Sequence, residues 1–213
     1  MNVKTAFLTS ALLAGTATFA TATPVTIDFS TIQSPSVASL TYSAGGFTVV
    51  ATGKSTNNAG VINGEGKVNS TALHTGNVGG LGVLTKDDSN HAIDGAGVDI
   101  NDLLLLTFNK AVKIVGISFA LVDGQFGGDK AYFKIDSSAL TNFSIVGFGY
   151  PNFKGVSWTG TQFGIGALGQ NDEFKLRAIQ VTPIPVPPAL LLLATGLAGV
   201  GTLARRKRKA AAK

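Results

Sequence analysis

Asp87, Asp88, Asp94, Asp99 and Asp102 fall in one short window of the chain, together with Asn90 and Asn101. Oxygen-rich stretches of this kind are what Ca²⁺ requires, because it takes about six to eight carboxylate, amide and carbonyl ligands. Asp87, Asp94, Asp99 and Asp102 are therefore the candidate metal ligands, and Ca²⁺ is the one cofactor the sequence suggests. The spacing is not that of an EF-hand, since both the Asp-x-Asp-x-Asp-Gly order and the closing Glu are missing. The competing reading is a turn-rich segment in which Asp and Asn cap backbone groups. Asp123, Gln125 and Asp129 form a second, sparser polar cluster.

Other chemistries find less material. His74 and His91 are the only histidines and there is no cysteine, which excludes disulfides and Cys-based metal or redox sites. Ser89, His91 and Asp94 have the residue types of a nucleophile set. Crowded on one segment, however, three such side chains seldom meet in the geometry a triad needs. Glu65 and Glu173 are the only glutamates, and nothing marks a glycosidase pair. No Gly-rich phosphate loop follows a strand and opens a helix. The expectation is a chain without catalytic residues. Trp158, Tyr42, Tyr132 and Tyr150 would stack on sugar rings if exposed, but in a chain with 13 Phe they are better read as core.

The elements that would position these groups are strands. Runs rich in β-branched and aromatic residues lie at 25–30, 47–52, 103–108, 112–122, 131–136, 143–148 and 173–182, with Gly, Asn, Asp and Ser between them. In the last run Lys175 and Arg177 alternate with Phe174 and Leu176, which predicts a partly polar face. Residues 53–77 are polar and Gly/Asn-rich and read as long loops with one or two edge strands. Charged residues make up only 14% and Gly numbers 27, a balance that suits neither a helical bundle nor a charged disordered chain. The predicted fold class is all-β, an antiparallel β-sandwich of jelly-roll type.

The ends are built differently. Lys4 followed by an apolar stretch leads to Ala20-Thr21-Ala22, the small-x-small pattern of signal peptidase, with Thr23 the first mature residue. Residues 189–204 carry no charge and as a helix would reach about 24 Å, to be set against a hydrocarbon core of about 30 Å. Snorkelling by Arg205 and Arg206 closes that gap. Arg205, Arg206, Lys207, Arg208 and Lys209 orient the segment with its C-terminal side in the cytoplasm. Of 17 basic residues, seven (these five, Lys4 and Lys213) lie in the end segments, so the remainder, with all 12 acidic groups, is mildly acidic. A nucleic-acid partner, which needs a basic face on the folded domain, is not expected. The expected organisation is a signal peptide at 1–22, a β-sandwich ectodomain at 23–182, a Pro-rich motif at 183–188, a transmembrane helix at 189–204 and a basic cytoplasmic tail at 205–213. A permanent anchor and a transient, cleaved membrane segment both fit that order. Pro183, Pro185, Pro187 and Pro188 favour the second, because prolines hold their predecessors extended as a protease groove requires.

The order Pro-x-Pro, apolar run, Arg/Lys cluster resembles the PEP-CTERM sorting signal of exported bacterial proteins. Pro185-Val186-Pro187 stands at the place of the family's Pro-Glu-Pro, and residues 184–189, Ile-Pro-Val-Pro-Pro-Ala, are similar to its Val-Pro-x-Pro-Ala variants. Valine in place of glutamate is a departure that bears on which exosortase subtype reads the tail. Gly80-Leu81-Gly82-Val83, Ile93-Asp94-Gly95 and Asp102-Leu103 are likewise similar to a pattern of exported proteins of this class. The resemblance implies export by the Sec machinery and signal peptidase, transient insertion in the inner membrane, processing by an exosortase-type membrane protease, and release to the cell surface or extracellular matrix. A carbohydrate-binding module in the exopolysaccharide of a biofilm, with or without Ca²⁺, is the alternative role for the ectodomain.

Overall fold

Gly45 and Gly46 show how local chemistry sets the register of this chain. Both have positive φ (55° and 77°), and they join two antiparallel strands in which Ala44 faces Phe47. A two-residue hairpin of that hand needs positive φ at both positions, which glycine adopts without a steric penalty. The computed structural model describes residues 22–184 apart from 32–33, 58–60, 71–78, 86–91, 98–99, 122–129, 139–140, 146–151, 168 and 170–171. The expected signal peptide and transmembrane helix thus lie outside the described residues, apart from Ala22. Among the described residues no helix is long and apolar enough to cross a membrane.

The described chain is all-β and antiparallel. Its strands are β1 (Val25–Asp28), β2 (Ser34–Val37), β3 (Ser39–Ala44), β4 (Phe47–Thr56), β5 (Ile62–Ser70), β6 (Gly82–Leu84), β7 (Ile93–Gly97), β8 (Ile100–Leu121), β9 (Lys130–Ile135), β10 (Thr141–Ser144), β11 (Lys154–Ala167) and β12 (Glu173–Pro183). One 3-10 turn, Phe29–Thr31, follows β1. Its start is capped by Asp28, whose Oδ1 accepts from the Ser30 backbone N–H at 2.9 Å and the Ser30 hydroxyl at 2.7 Å.

β8 is the organising element. Its first half pairs with β4, from Val49 opposite Phe108 to Thr56 opposite Asn101. Its second half pairs with β12, from Pro183 opposite Val112 to Phe174 opposite Leu121. On its other side β11 accompanies it, with a break where Gly160 faces Val112 but Gln162 faces Thr107. Residues 108–111 therefore bulge against the single residue Thr161, the kind of irregularity that bends a strand locally. Side chains from both halves of β8 and from β3, β4, β11 and β12 share one buried cluster that includes Tyr42, Phe47, Leu104, Leu106, Ile114, Phe119, Phe163, Phe174 and Ile179. Edge-on ring contacts fasten it, between Phe29 and Tyr42 at 5.0 Å, Phe108 and Phe163 at 5.7 Å, and Phe119 and Phe174 at 5.4 Å.

Three sequence expectations are modified. The runs at 103–108 and 112–122 belong to one strand, because the bulge bends β8 without ending its pairing with β11. Within 53–77, β4 extends to Thr56 and β5 occupies Ile62–Ser70. β11 was not among the apolar runs at all. Its Gly155, Gly160, Gly164 and Gly166 dilute the strand signal, yet the last has a packing role. A Cβ on Gly166 would collide with the Tyr132 ring and lie 2.7 Å from the Asp102 carbonyl oxygen, so its absence lets Tyr132 lie across the strand.

Candidate functional site

Two of the four candidate calcium ligands sit in strands. β7 meets β8 with Gly95 opposite Asn101, which sets Asp94 and Asp102 side by side. The Asp94 backbone N–H donates to Asp102 Oδ2 at 3.4 Å, and both side chains are buried, Asp102 at 1% exposure. On its other edge Asp94 faces Glu173 of β12. Asp87 and Asp99 lie outside the described residues, as do Asp88, Asn90, Ser89, His91 and His74. Among the described residues no three His, Cys, Asp or Glu side chains gather as a metal site would require.

Beside this acidic pair lies a hydroxyl cluster. Thr56 Oγ1 is 2.6 Å from the Tyr132 hydroxyl and donates to the Asn101 carbonyl at 3.2 Å, with all three residues buried. Burial pushes the Tyr132 pKa up and the negative charge of Asp102 adds to this, while the hydrogen bond with Thr56 opposes it. The phenol is thus held neutral, and the arrangement ties β4, β8 and β9 together. A second hydroxyl cluster centres on the Phe29 carbonyl, which accepts from Ser70 Oγ at 2.6 Å and from the Tyr42 hydroxyl at 3.2 Å.

The aromatic residues behave as core. Trp158, Tyr42 and Tyr132 are all buried, and Trp158 stacks on Phe133 with centroids 3.9 Å apart and planes 26° from parallel. None of the three offers an exposed face to a sugar, and Tyr150 lies outside the described residues. The surface has a shallow groove of about 320 Å³ bordered by Glu65, Lys67, Leu84 and Thr85, and Glu65 there is engaged by Lys54 Nζ at 2.6 Å.

The residue that sequence reasoning misplaced is Lys175. Alternation put it on a polar face, but its side chain is 0% exposed, flanked by fully buried Phe174 and Leu176. The reason is tertiary. Leu81 forms a two-hydrogen-bond bridge to Leu176, and a Cβ on Gly80 would come 3.2 Å from the Lys175 Cβ. That segment covers the side of β12 an isolated pattern leaves to solvent. Burial lowers the Lys175 pKa to about 8, against the Glu173 carboxylate, whose negative charge acts to raise it. Its Nζ reaches Asn69 Oδ1 at 3.4 Å, and Asn69 is also 0% exposed. A lone lysine between two large apolar residues of a strand was the available signal. Arg177 next to it stays near the surface, with Nη1 donating to the Gly79 carbonyl at 3.0 Å and Nη2 3.6 Å from Asp28 Oδ2.

No protein-family model matches this chain, and no curated protein matches it. The processing residues are distributed at the margins of the described structure. Ala22 and Thr23 precede β1, with Thr23 exposed, and Ile184 follows β12 at 40% exposure. Ala20, the motif Pro185, Val186 and Pro187, the apolar run 189–204 and the cluster Arg205, Arg206, Lys207, Arg208 and Lys209 lie outside the described residues.

Proposed function

We propose that this is an exported bacterial protein, delivered by Sec and signal peptidase. A C-terminal PEP-CTERM-type signal then holds it in the inner membrane until an exosortase-type protease releases it to the surface or matrix. The observation that carries the reading is a coincidence of boundaries. The chain from Ala22 to Ile184 clusters as one compact unit, with its first strand starting at Val25 and its last ending at Pro183. The two processing positions read from the sequence, after Ala22 and at Pro185 to Pro187, fall at the edges of that unit, outside its first and last strands. A cut at either end therefore leaves every described strand pairing intact, as a processed ectodomain requires. In this reading the ectodomain is a jelly-roll-type sandwich without catalytic residues, supported by the bulge of residues 108–111 against Thr161, where the second neighbour of β8 changes from β4 to β12.

The test is the intact mass of the protein recovered outside the cell. A mass ending near the Pro motif supports the reading, and a mass that still includes Lys213 leaves a permanent anchor in its place. Replacing Pro185 and Pro187 by Ala should trap the longer form in the membrane fraction.

A further inference from the structure

Lys175 and Asn69 bring an amine and a carboxamide together inside the protein. They belong to β12 and β5 and are 106 residues apart in sequence, yet Nζ stands 3.4 Å from Oδ1 with both side chains at 0% exposure. β6 explains how they meet. Gly82 pairs with Asn69 on one edge, while the preceding Leu81 bridges Leu176 on the other. A Cβ on Gly80 would come 3.2 Å from the Lys175 Cβ, so this glycine leaves room for the lysine stem. Val68, Leu81, Val83, Phe174 and Leu176 around them are fully buried, so water has little access.

We propose that Lys175 and Asn69 are the two halves of an intramolecular amide cross-link that the folded domain forms without an external enzyme. Neutral Nζ attacks Cγ of Asn69. The new Nζ–Cγ bond replaces the Cγ–Nδ2 bond, one proton passes from Nζ to Nδ2, and Nδ2 leaves as ammonia. One C–N bond is exchanged for another, so no oxidant, reductant or activated donor is consumed. Three features favour the exchange. Enforced proximity converts a bimolecular amidation into a unimolecular step. Burial keeps a large share of the lysine neutral near pH 8, where an exposed lysine is almost wholly protonated. Exclusion of water removes the competing hydrolysis, and the small ammonia leaving group departs during local opening. The product would join β5 covalently to β12, which suits a protein that must persist outside the cell. The proposal does not depend on how the tail is processed.

The experiment is peptide mapping of the full chain purified in its folded state. The expected result is a branched peptide joining the Asn69 and Lys175 segments, lighter than the two separate peptides by one ammonia, with trypsin failing to cut after Lys175. Lys175→Met and Asn69→Ala should each abolish it. Recovery of both segments as separate, unmodified peptides from folded wild-type protein would overturn the proposal. So would loss of ammonia confined to the Asn69 peptide, which is the signature of a cyclic imide. Because wild-type material alone decides the matter, misfolding of either variant leaves the test intact.

Discussion

Asp136 and Lys175 both place a charge in the sheet, and their surroundings are opposite. Asp136 sits at an exposed turn after β9 with φ of 47°, a conformation that Asp tolerates better than most residues. Its Oδ1 accepts three hydrogen bonds, from the Thr161 N–H at 3.1 Å, the Thr161 hydroxyl at 2.9 Å and the Gln162 N–H at 2.8 Å. Desolvation acts to raise its pKa, but the hydrogen bonds from the Thr161 side chain and the Gln162 and Thr161 backbone outweigh it, and the net shift is downward. The carboxylate thereby fills the orphaned donors of the β11 bulge and fixes the corner where β8 and β11 turn. Lys175 has the reverse balance. It is enclosed by apolar strands, so its neutral form is favoured. An exposed charge surrounded by donors stabilises a bend, whereas a charge buried among apolar strands is driven to lose its proton.

The sharpest way to break this comparison is to keep the Lys175 amine while removing its proposed reaction partner. In Asn69→Ala the burial that lowers the amine pKa remains when the chain is folded, and the ordinary, higher value returns when it unfolds. Between those values the unfolded chain binds the extra proton, so stability rises with pH, by about 3 kcal/mol in total. Denaturant titrations from pH 7 to pH 10 should show that rise, and adding Lys175→Met should flatten it. A flat profile in Asn69→Ala alone would mean that the lysine is not buried as described. Wild type should also be flat if the cross-link has consumed the amine. Next in size, Gly166→Ala forces a methyl against the Tyr132 ring and the Asp102 carbonyl and should cost about 2 kcal/mol in chemical denaturation.

On the exposed side the effects shrink. Asp136→Ala should destabilise by on the order of 1 kcal/mol, since it strands the Thr161 and Gln162 donors and puts Ala at positive φ. Asp136→Asn, which keeps an acceptor and tolerates the conformation, should lose less. With its folded pKa lowered, Asp136 contributes stability that is present above the ordinary carboxylate range and is lost as pH falls through the folded value. The difference between wild type and Asp136→Asn in thermal melts should therefore narrow in acid. Smallest of all is the exposed pair of Lys54 and Glu65 at 2.6 Å, where Lys54→Ala should change stability by less than about 1 kcal/mol and less still in high salt.

Much of the fold was legible because its signals are local. All seven apolar runs overlap strands, two of them as the halves of β8, and the run at 143–148 does so only at 143–144 within the described residues. What misled was dilution and context. At Gly160, Gly164 and Gly166 of β11, side chains next to or on β9 and β8 lean over the strand, as Tyr132 does over Gly166, and such a strand looks like a loop when read alone. The acidic window illustrates a second limit. Composition brought Asp94 and Asp102 to notice, but only the pairing of β7 with β8 makes them buried neighbours. Lys175 is the third case, since alternation along β12 holds only while one face is open to water.

The sequence alone determined the division of the chain. An all-β middle set between two differently composed ends follows from residue type and spacing, because strand propensity, apolar length and charge clustering act over a few residues. Tertiary structure decided which polar groups entered the interior. Asn69 and Lys175, 106 positions apart, meet only because β6 passes between their strands, and no local pattern encodes a contact made by a third strand.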